Sequence, residues 1–221
     1  MSTLVLAEAA RSKRVPSLAN GDWLKRDDFH RRYLVTPGLK KAELVEHNVV
    51  MPSPTGFARH GAPQAHVISW LGFYAAHRPG LELGDNATVI LDDANELQPD
   101  ALLRRSEESG GQSRLGEDGF IHGAPEFVAE IAATSAAYDC HQKKAVYLRH
   151  GVLEYFVWSV DEGRIDWWEQ IDGDYRTIPL DHDGLARSRI FPGLWLDAHA
   201  LIRGDLRAVF AAVQRGLDAT P

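Results

Sequence analysis

A single carboxylate constrains this chain more than any other feature. Residues 127–133 read FVAEIAA, and Glu130 interrupts what is otherwise a continuous apolar run. The stretch from Glu126 to Ile131 reads as a buried strand. By the two-residue period, Glu130 then shares a face with Val128 and Ala132. A charge in such a place needs a partner ion or a metal. Two readings follow: a buried ion pair with a lysine or arginine, or a functional acid.

The residues after the strand supply candidates for a partner. Tyr138 to His150 reads as a helix, with Gly151 just past its end as a stop. Asp139, Lys143 and Tyr147 lie four apart and line one stripe of it. Lys143 could pair with Asp139 as a surface salt bridge of little energetic worth. Alternatively it points at the acids, where it would stabilise charge on a phosphate or position an attacking water. Lys144, roughly 100° around the helix, is the neighbouring alternative.

A second acid stands upstream, where Asp100 follows Pro99 in ELQPDALLR. Leu97 to Arg104 reads as a strand with the proline near its start, where a missing N–H is tolerated. Asp100 either caps a turn there or faces a cleft and coordinates a cation. Two acids and a lysine on a strand–helix scaffold can bind a divalent metal and hydrolyse a phosphodiester.

The remaining elements frame these groups. Residues 1–20 read as a flexible N-terminal tail, and 21–221 as a single domain. Asp22 is a candidate cap for a helix from Trp23 to Leu34, which Thr36-Pro37-Gly38 ends. Ala42 to Met51 predicts a strand pair that reverses near His47-Asn48. Ala58 to His77 predicts a long amphipathic helix. Strands are expected at 81–83 and 87–91, and an exposed loop at Arg105 to Gly119. Glu154 to Val160 predicts an aromatic-rich strand, and 164–169 with 175–178 a hairpin. FPGLWL at 191–196 docks an apolar loop, and one or two helices close the chain. The mixture gives an α/β (α+β) class with one mixed central β-sheet flanked by helices.

Composition excludes several function classes. No apolar run approaches the length that crosses a bilayer, so no membrane partner is expected. One cysteine, Cys140, rules out an intrachain disulfide framework and suits a reducing, cytoplasmic location. The histidines form no His-x-x-x-His pair, so a zinc site is not expected. There is no G-x-S-x-G elbow, P-loop or G-x-G-x-x-G fingerprint. A net charge of −7 argues against a general nucleic-acid binder but does not describe the local field at a cleft. Trp158, Trp167, Trp168 and Trp195 read as core and hairpin aromatics in preference to a base-stacking platform. Arg104-Arg105 and Lys40-Lys41 could contact phosphates but read in preference as solvated surface.

The acids and the lysine also match a known pattern. PD, then an E thirty residues later, with a nearby lysine, resembles the PD-(D/E)XK nuclease superfamily and its restriction-endonuclease-like core. The longer string resembles the Uma-two-type restriction endonuclease family within it. The matching pieces are AELVEHNVVMPSP, Arg59-His60, ELQPDALL, APEFVAEIAATS, YDCHQKKAVYLRHGVLEYFVW and FPGLWLD, spanning Lys40 to Asp197.

The resemblance implies a metal-dependent endonuclease with DNA as substrate. Asp100, Glu130 and the backbone carbonyl of Ile131 would ligate Mg²⁺ or Mn²⁺, which prefer such oxygen donors. Lys143 would be the catalytic lysine, Glu43 an accessory acid, and His60 would lie at the mouth of the cleft. Asp139 and Tyr147 accompany Lys143 on its stripe. Cutting both strands leaves a homodimer open.

The sequence departs from the superfamily at several points. Ala132 stands where its lysine usually sits, so the lysine must come from the helix. His47-Asn48 replaces the usual Gly-Glu of the early hairpin, Ala133-Thr134 a serine-proline, and Ser159 a frequent aspartate. These departures and the acidic charge sustain an alternative: a catalytically inactive nuclease-fold module that binds DNA or a protein.

Overall fold

The structure, a computed structural model, describes residues 15–52, 56–133 and 138–220. Helix α1 (Arg26–Val35) leads into the hairpin β1 (Glu43–Val45) and β2 (Asn48–Val50). A π-turn, Phe57–Gly61, opens helix α2 (Ala62–Ala75). Strands β3 (Leu81–Asp85), β4 (Val89–Asp92), β5 (Asn95–Leu97) and β6 (Ala101–Arg105) follow, then β7 (Arg114–Leu115), β8 (Ile121–His122) and β9 (Phe127–Ala132). A second π-turn, Asp139–Lys143, opens helix α3 (Lys144–His150). Strands β10 (Glu154–Ser159), β11 (Arg164–Ile171) and β12 (Asp174–Thr177) form an antiparallel meander. The chain closes with β13 (Ala186–Arg187), β14 (Trp195–Leu196) and helices α4 (Ala198–Ile202) and α5 (Leu206–Ala219).

The strand with the odd carboxylate lies inside a six-stranded sheet of order β12-β11-β10-β9-β6-β3. Only β9 and β10 pair in parallel, so the sheet is mixed, as expected. Every residue of β9 and β10 is buried. Both faces of β9 are therefore covered, which explains its near-continuous apolar sequence. One face sends Phe127, Ala129 and Ile131 against Trp70 and Leu71 of α2 and Val209 and Val213 of α5. Phe191, Leu194 and Leu196 of the FPGLWL segment complete this core. The other face sends Val128 and Ala132 against Val146 and Tyr147, and Glu130 belongs to this side by alternation. Trp158, Trp167 and Trp168 are buried, as core aromatics should be.

A second six-stranded sheet, of order β2-β1-β5-β4-β8-β7, corrects the expectation of a single sheet. The stretch expected as one strand over 97–104 divides. Its start, β5, belongs to the second sheet and its end, β6, to the first. Gln98-Pro99-Asp100 crosses between them, where Pro99 has no N–H to continue a ladder. The region 105–119 is likewise not one exposed loop, since it contributes β7 and buries Ser113.

Helix α1 starts at Arg26, later than expected. Asp22 turns its carboxylate to the Ala19 N–H at 3.0 Å instead of capping the helix, and Trp23 bridges to Asn48. The reversal after β1 falls at Glu46-His47, both with positive φ (51° and 68°), the geometry of a type I′ hairpin. Asn95 Oδ1 accepts the Glu46 N–H at 2.9 Å and steadies the turn. Of the expected tail, residues 1–14 lie outside the described residues. Leu18 is buried with Phe29, Leu44 and Val49, so it packs into the domain. Among the described residues no helix is long and apolar enough to cross a membrane.

Glu154, at the start of β10, makes the fold pH-sensitive. Its Oε1 accepts bonds from Ser188 Oγ at 2.7 Å and the N–H groups of Arg189 and Ile190 at 3.1 and 3.2 Å. Burial pushes its carboxyl up to about 7, against the pull of those bonds. The folded value exceeds the ordinary 4.5, so the unfolded chain ionises first as pH rises. Stability from this group is complete below pH 4.5 and is lost as pH climbs toward about 7, a change of roughly 3 kcal/mol. Glu154→Gln keeps the acceptor oxygen and removes the titration. Urea unfolding at pH 5 and pH 7.5 should show a smaller pH loss in the variant; an unchanged loss would contradict this.

Candidate active site

Asp100 and Glu130 meet across two strands. The antiparallel register of β6 and β9 sets Ala101 against Ala129, and the next position along each strand is Asp100 and Glu130. Opposed side chains in such a pair share a face at close range. Asp100 Oδ2 accepts the Ile131 N–H at 2.8 Å, so the acid replaces the missing ladder partner. His60 Nε2, from the first π-turn, lies 3.2 Å from the same oxygen. Lys41 Nζ donates to Oδ1 at 2.9 Å.

Lys143 gathers the other acids. Its Nζ donates to Glu130 Oε1 at 3.0 Å, lies 2.8 Å from Glu43 Oε2 and 3.6 Å from Asp139 Oδ1. Glu43 comes from β1 of the second sheet, and its Oε1 also accepts the Gln98 N–H at 2.8 Å. The Tyr147 hydroxyl donates to Glu130 Oε1 at 3.1 Å. Tyr155 donates to the Asp139 carbonyl at 3.0 Å and anchors the second π-turn. Lys144 points elsewhere, its Nζ 3.7 Å from the ring centre of Trp168. The side chains expected at the site therefore lie in one cluster, and of the two lysines Lys143 faces the acids.

One member was not expected. Lys41, read from sequence as solvated surface, is an ion-pair partner of Asp100. A usable signal existed: Lys41 and Glu43 are two apart, so on an extended segment they share a face.

The charges in this cluster do not balance. Glu43, Asp100, Glu130 and Asp139 are each no more than 4% exposed, as is Lys143. Among the described residues, Lys41, Lys143 and His60 are the basic groups named against these four carboxylates, so acids outnumber bases. Burial works against the Lys143 charge, but Glu130, Glu43 and Asp139 outweigh it and hold its ammonium well above the ordinary range. Burial likewise works against ionised Asp100; the His60 bond and the Lys41 charge outweigh it, holding the carboxyl well below the usual range. Glu130 takes the strain. Burial, then the charges of Asp100, Asp139 and Glu43, overcome Lys143 and push its carboxyl up to about 8. One ammonium shared among three acids cannot keep all of them ionised.

Among the described residues no three His, Cys, Asp or Glu side chains form a ready metal cage. A site here would draw on fewer side chains plus main-chain and water oxygens, a common donor set for Mg²⁺. A cleft of about 390 Å³, lined by Gly61, Gln64, Asp85 and Asn86 among others, adjoins the acids. Gln64 Nε2 links its wall to the Asp100 carbonyl at 3.1 Å. Another cleft, of about 410 Å³, lies at the far ends of α2 and β6, beside Arg78 and Arg105; no acid lines it.

Comparison with known proteins gives the family. The model of the Uma2 family, described as "Putative restriction endonuclease", matches residues 26–199. The chain belongs to the Uma2 family. The match includes every residue of the Uma2 protein's acid–lysine cluster. No curated protein matches the chain. Among solved structures it is similar to "a putative nuclease belonging to DUF820" from Anabaena variabilis, with a TM-score of 0.60 and 16% identity. That likeness covers 81% of this chain and 99% of the other, and at this identity it is a likeness of fold.

Proposed function

We propose that this Uma2 protein is a metal-dependent endonuclease that hydrolyses DNA phosphodiester bonds. One observation carries the reading: four buried carboxylates, Glu43, Asp100, Glu130 and Asp139, converge on one site, a concentration of oxygen donors and negative charge that suits Mg²⁺ or Mn²⁺. Asp100, Glu130 and the main-chain carbonyl of Ile131 would hold the ion. When bound, it supplies a polarised water and neutralises charge on the phosphate.

The chain's own groups prepare the site. Glu43 and Asp139 position Lys143, whose fixed positive charge favours the charge that builds on the phosphate as the bond breaks. Tyr147 orients Glu130 through its hydroxyl. His60 stands beside Asp100 where substrate would enter. Lys143 is turned inward to the central acid, the orientation that the catalytic role requires.

Supercoiled plasmid tests the reading. The purified protein should nick or cut it with Mg²⁺ or Mn²⁺ and stop when the metal is chelated, and Asp100→Ala should be inactive. Cutting that needs no metal, or that survives Asp100→Ala, would refute the proposal. Duplex binding without any cutting would favour the inactive module.

A further inference from the structure

Both oxygens of Asp100 already have partners. Its Oδ2 accepts Ile131 N–H and lies near His60 Nε2, and its Oδ1 accepts from Lys41. For a cation to take Oδ1, Lys41 must leave, because two positive centres on one oxygen repel strongly at such range. The Ile131 N–H cannot leave, since β9 is fixed between β6 and β10.

Lys41 is the partner with room to turn. Its side chain is 22% exposed where that of Asp100 is 4%. It rides on a flexible four-carbon stem with three rotatable donors. Its Nζ also donates to Asn86 Oδ1 at 3.2 Å, on the rim of the cleft of about 390 Å³. One lysine therefore links the interior acid to the open cleft beside it.

We propose that Lys41 is a phosphate-binding residue held in reserve. It covers Asp100 until a divalent cation takes Oδ1, then turns into the Asn86 cleft and binds a phosphate of the DNA backbone. Lys41 acts this way only if Asp100 ligates the cation, as proposed above. The arrangement couples the two ligands: the metal frees the lysine that the DNA needs.

The test is a pair of affinities that move in opposite directions. Lys41→Met and Lys41→Gln are compared with wild type by calorimetric titration of Mn²⁺ and by fluorescence anisotropy of a short duplex in Ca²⁺. Removing the competitor should tighten Mn²⁺ binding about tenfold. Duplex binding should weaken about tenfold, and its dependence on log salt should fall by about 1. Lys41→Arg should retain duplex binding. A lysine with a merely structural role would weaken both affinities or neither. Unchanged or weaker Mn²⁺ binding in both variants, or unaltered duplex binding, would overturn the proposal for Lys41 alone. Absence of Mn²⁺ binding by folded wild type would overturn the metal site itself, and the role of Lys41 with it.

Discussion

Lys143→Met should destabilise the protein by about 3–5 kcal/mol, the cost of breaking a buried ion pair from one side. The lysine is 4% exposed, and its Nζ serves Glu43, Glu130 and Asp139. Methionine fills most of the volume but leaves those carboxylates without their shared cation. Adding Glu43→Gln to Lys143→Met should recover part of the loss, because contacting residues couple by about 0.5–3 kcal/mol. Lys144→Met is the control. Lys144 lies over Trp168 at 3.7 Å, and losing that contact should cost about 0.5–1 kcal/mol. Urea unfolding of the variants measures the difference. Equal losses for Lys143→Met and Lys144→Met would contradict the placement of the lysine at the centre of the acids.

Glu130→Gln should separate activity from stability. The amide keeps an oxygen to accept from Lys143 and Tyr147, and Lys143 retains Glu43 and Asp139. The variant also ends the cost of ionising a buried carboxyl that burial and the charges of Asp100, Asp139 and Glu43 push toward neutrality. Stability should be unchanged or higher by about 1 kcal/mol, the direction expected when a strained functional group is removed. Cleavage should fall on the order of 10³-fold, since the replaced carboxylate is the group that would hold the ion. Cleavage rate and thermal midpoint, measured on one preparation, check both halves. A variant that is both unstable and inactive would make Glu130 a structural acid.

Much of this site was readable because its charges sit where charges are costly. Glu130 in FVAEIAA and Asp100 after Pro99 stand out against apolar neighbours, and the spacing of Asp139, Lys143 and Tyr147 gave the stripe that faces them. Sequence could not choose between Lys143 and Lys144, because helical spacing fixes a stripe and not its direction. Both π-turns escaped notice as well. They hold His60 and the pair Asp139 and Lys143, in keeping with the frequent use of such turns at functional sites. The second sheet was hidden because its strands run from two to four residues, too short to show a period. Its hairpin at 42–51 and its strand expected at 87–91 had local signatures, but nothing local joined them into one sheet. Lys41 was missed because the exposed-looking Lys40-Lys41 pair masks the two-residue spacing that puts Lys41 on the face of Glu43.

The metal is the central claim, and calorimetric titration of Mn²⁺ into metal-free protein tests it most directly. Wild type should bind Mn²⁺ at this site, and Glu130→Ala should lose that binding while circular dichroism shows the fold retained. Folded wild type that takes up no Mn²⁺, or a Glu130→Ala variant that binds it as wild type does, would contradict the account.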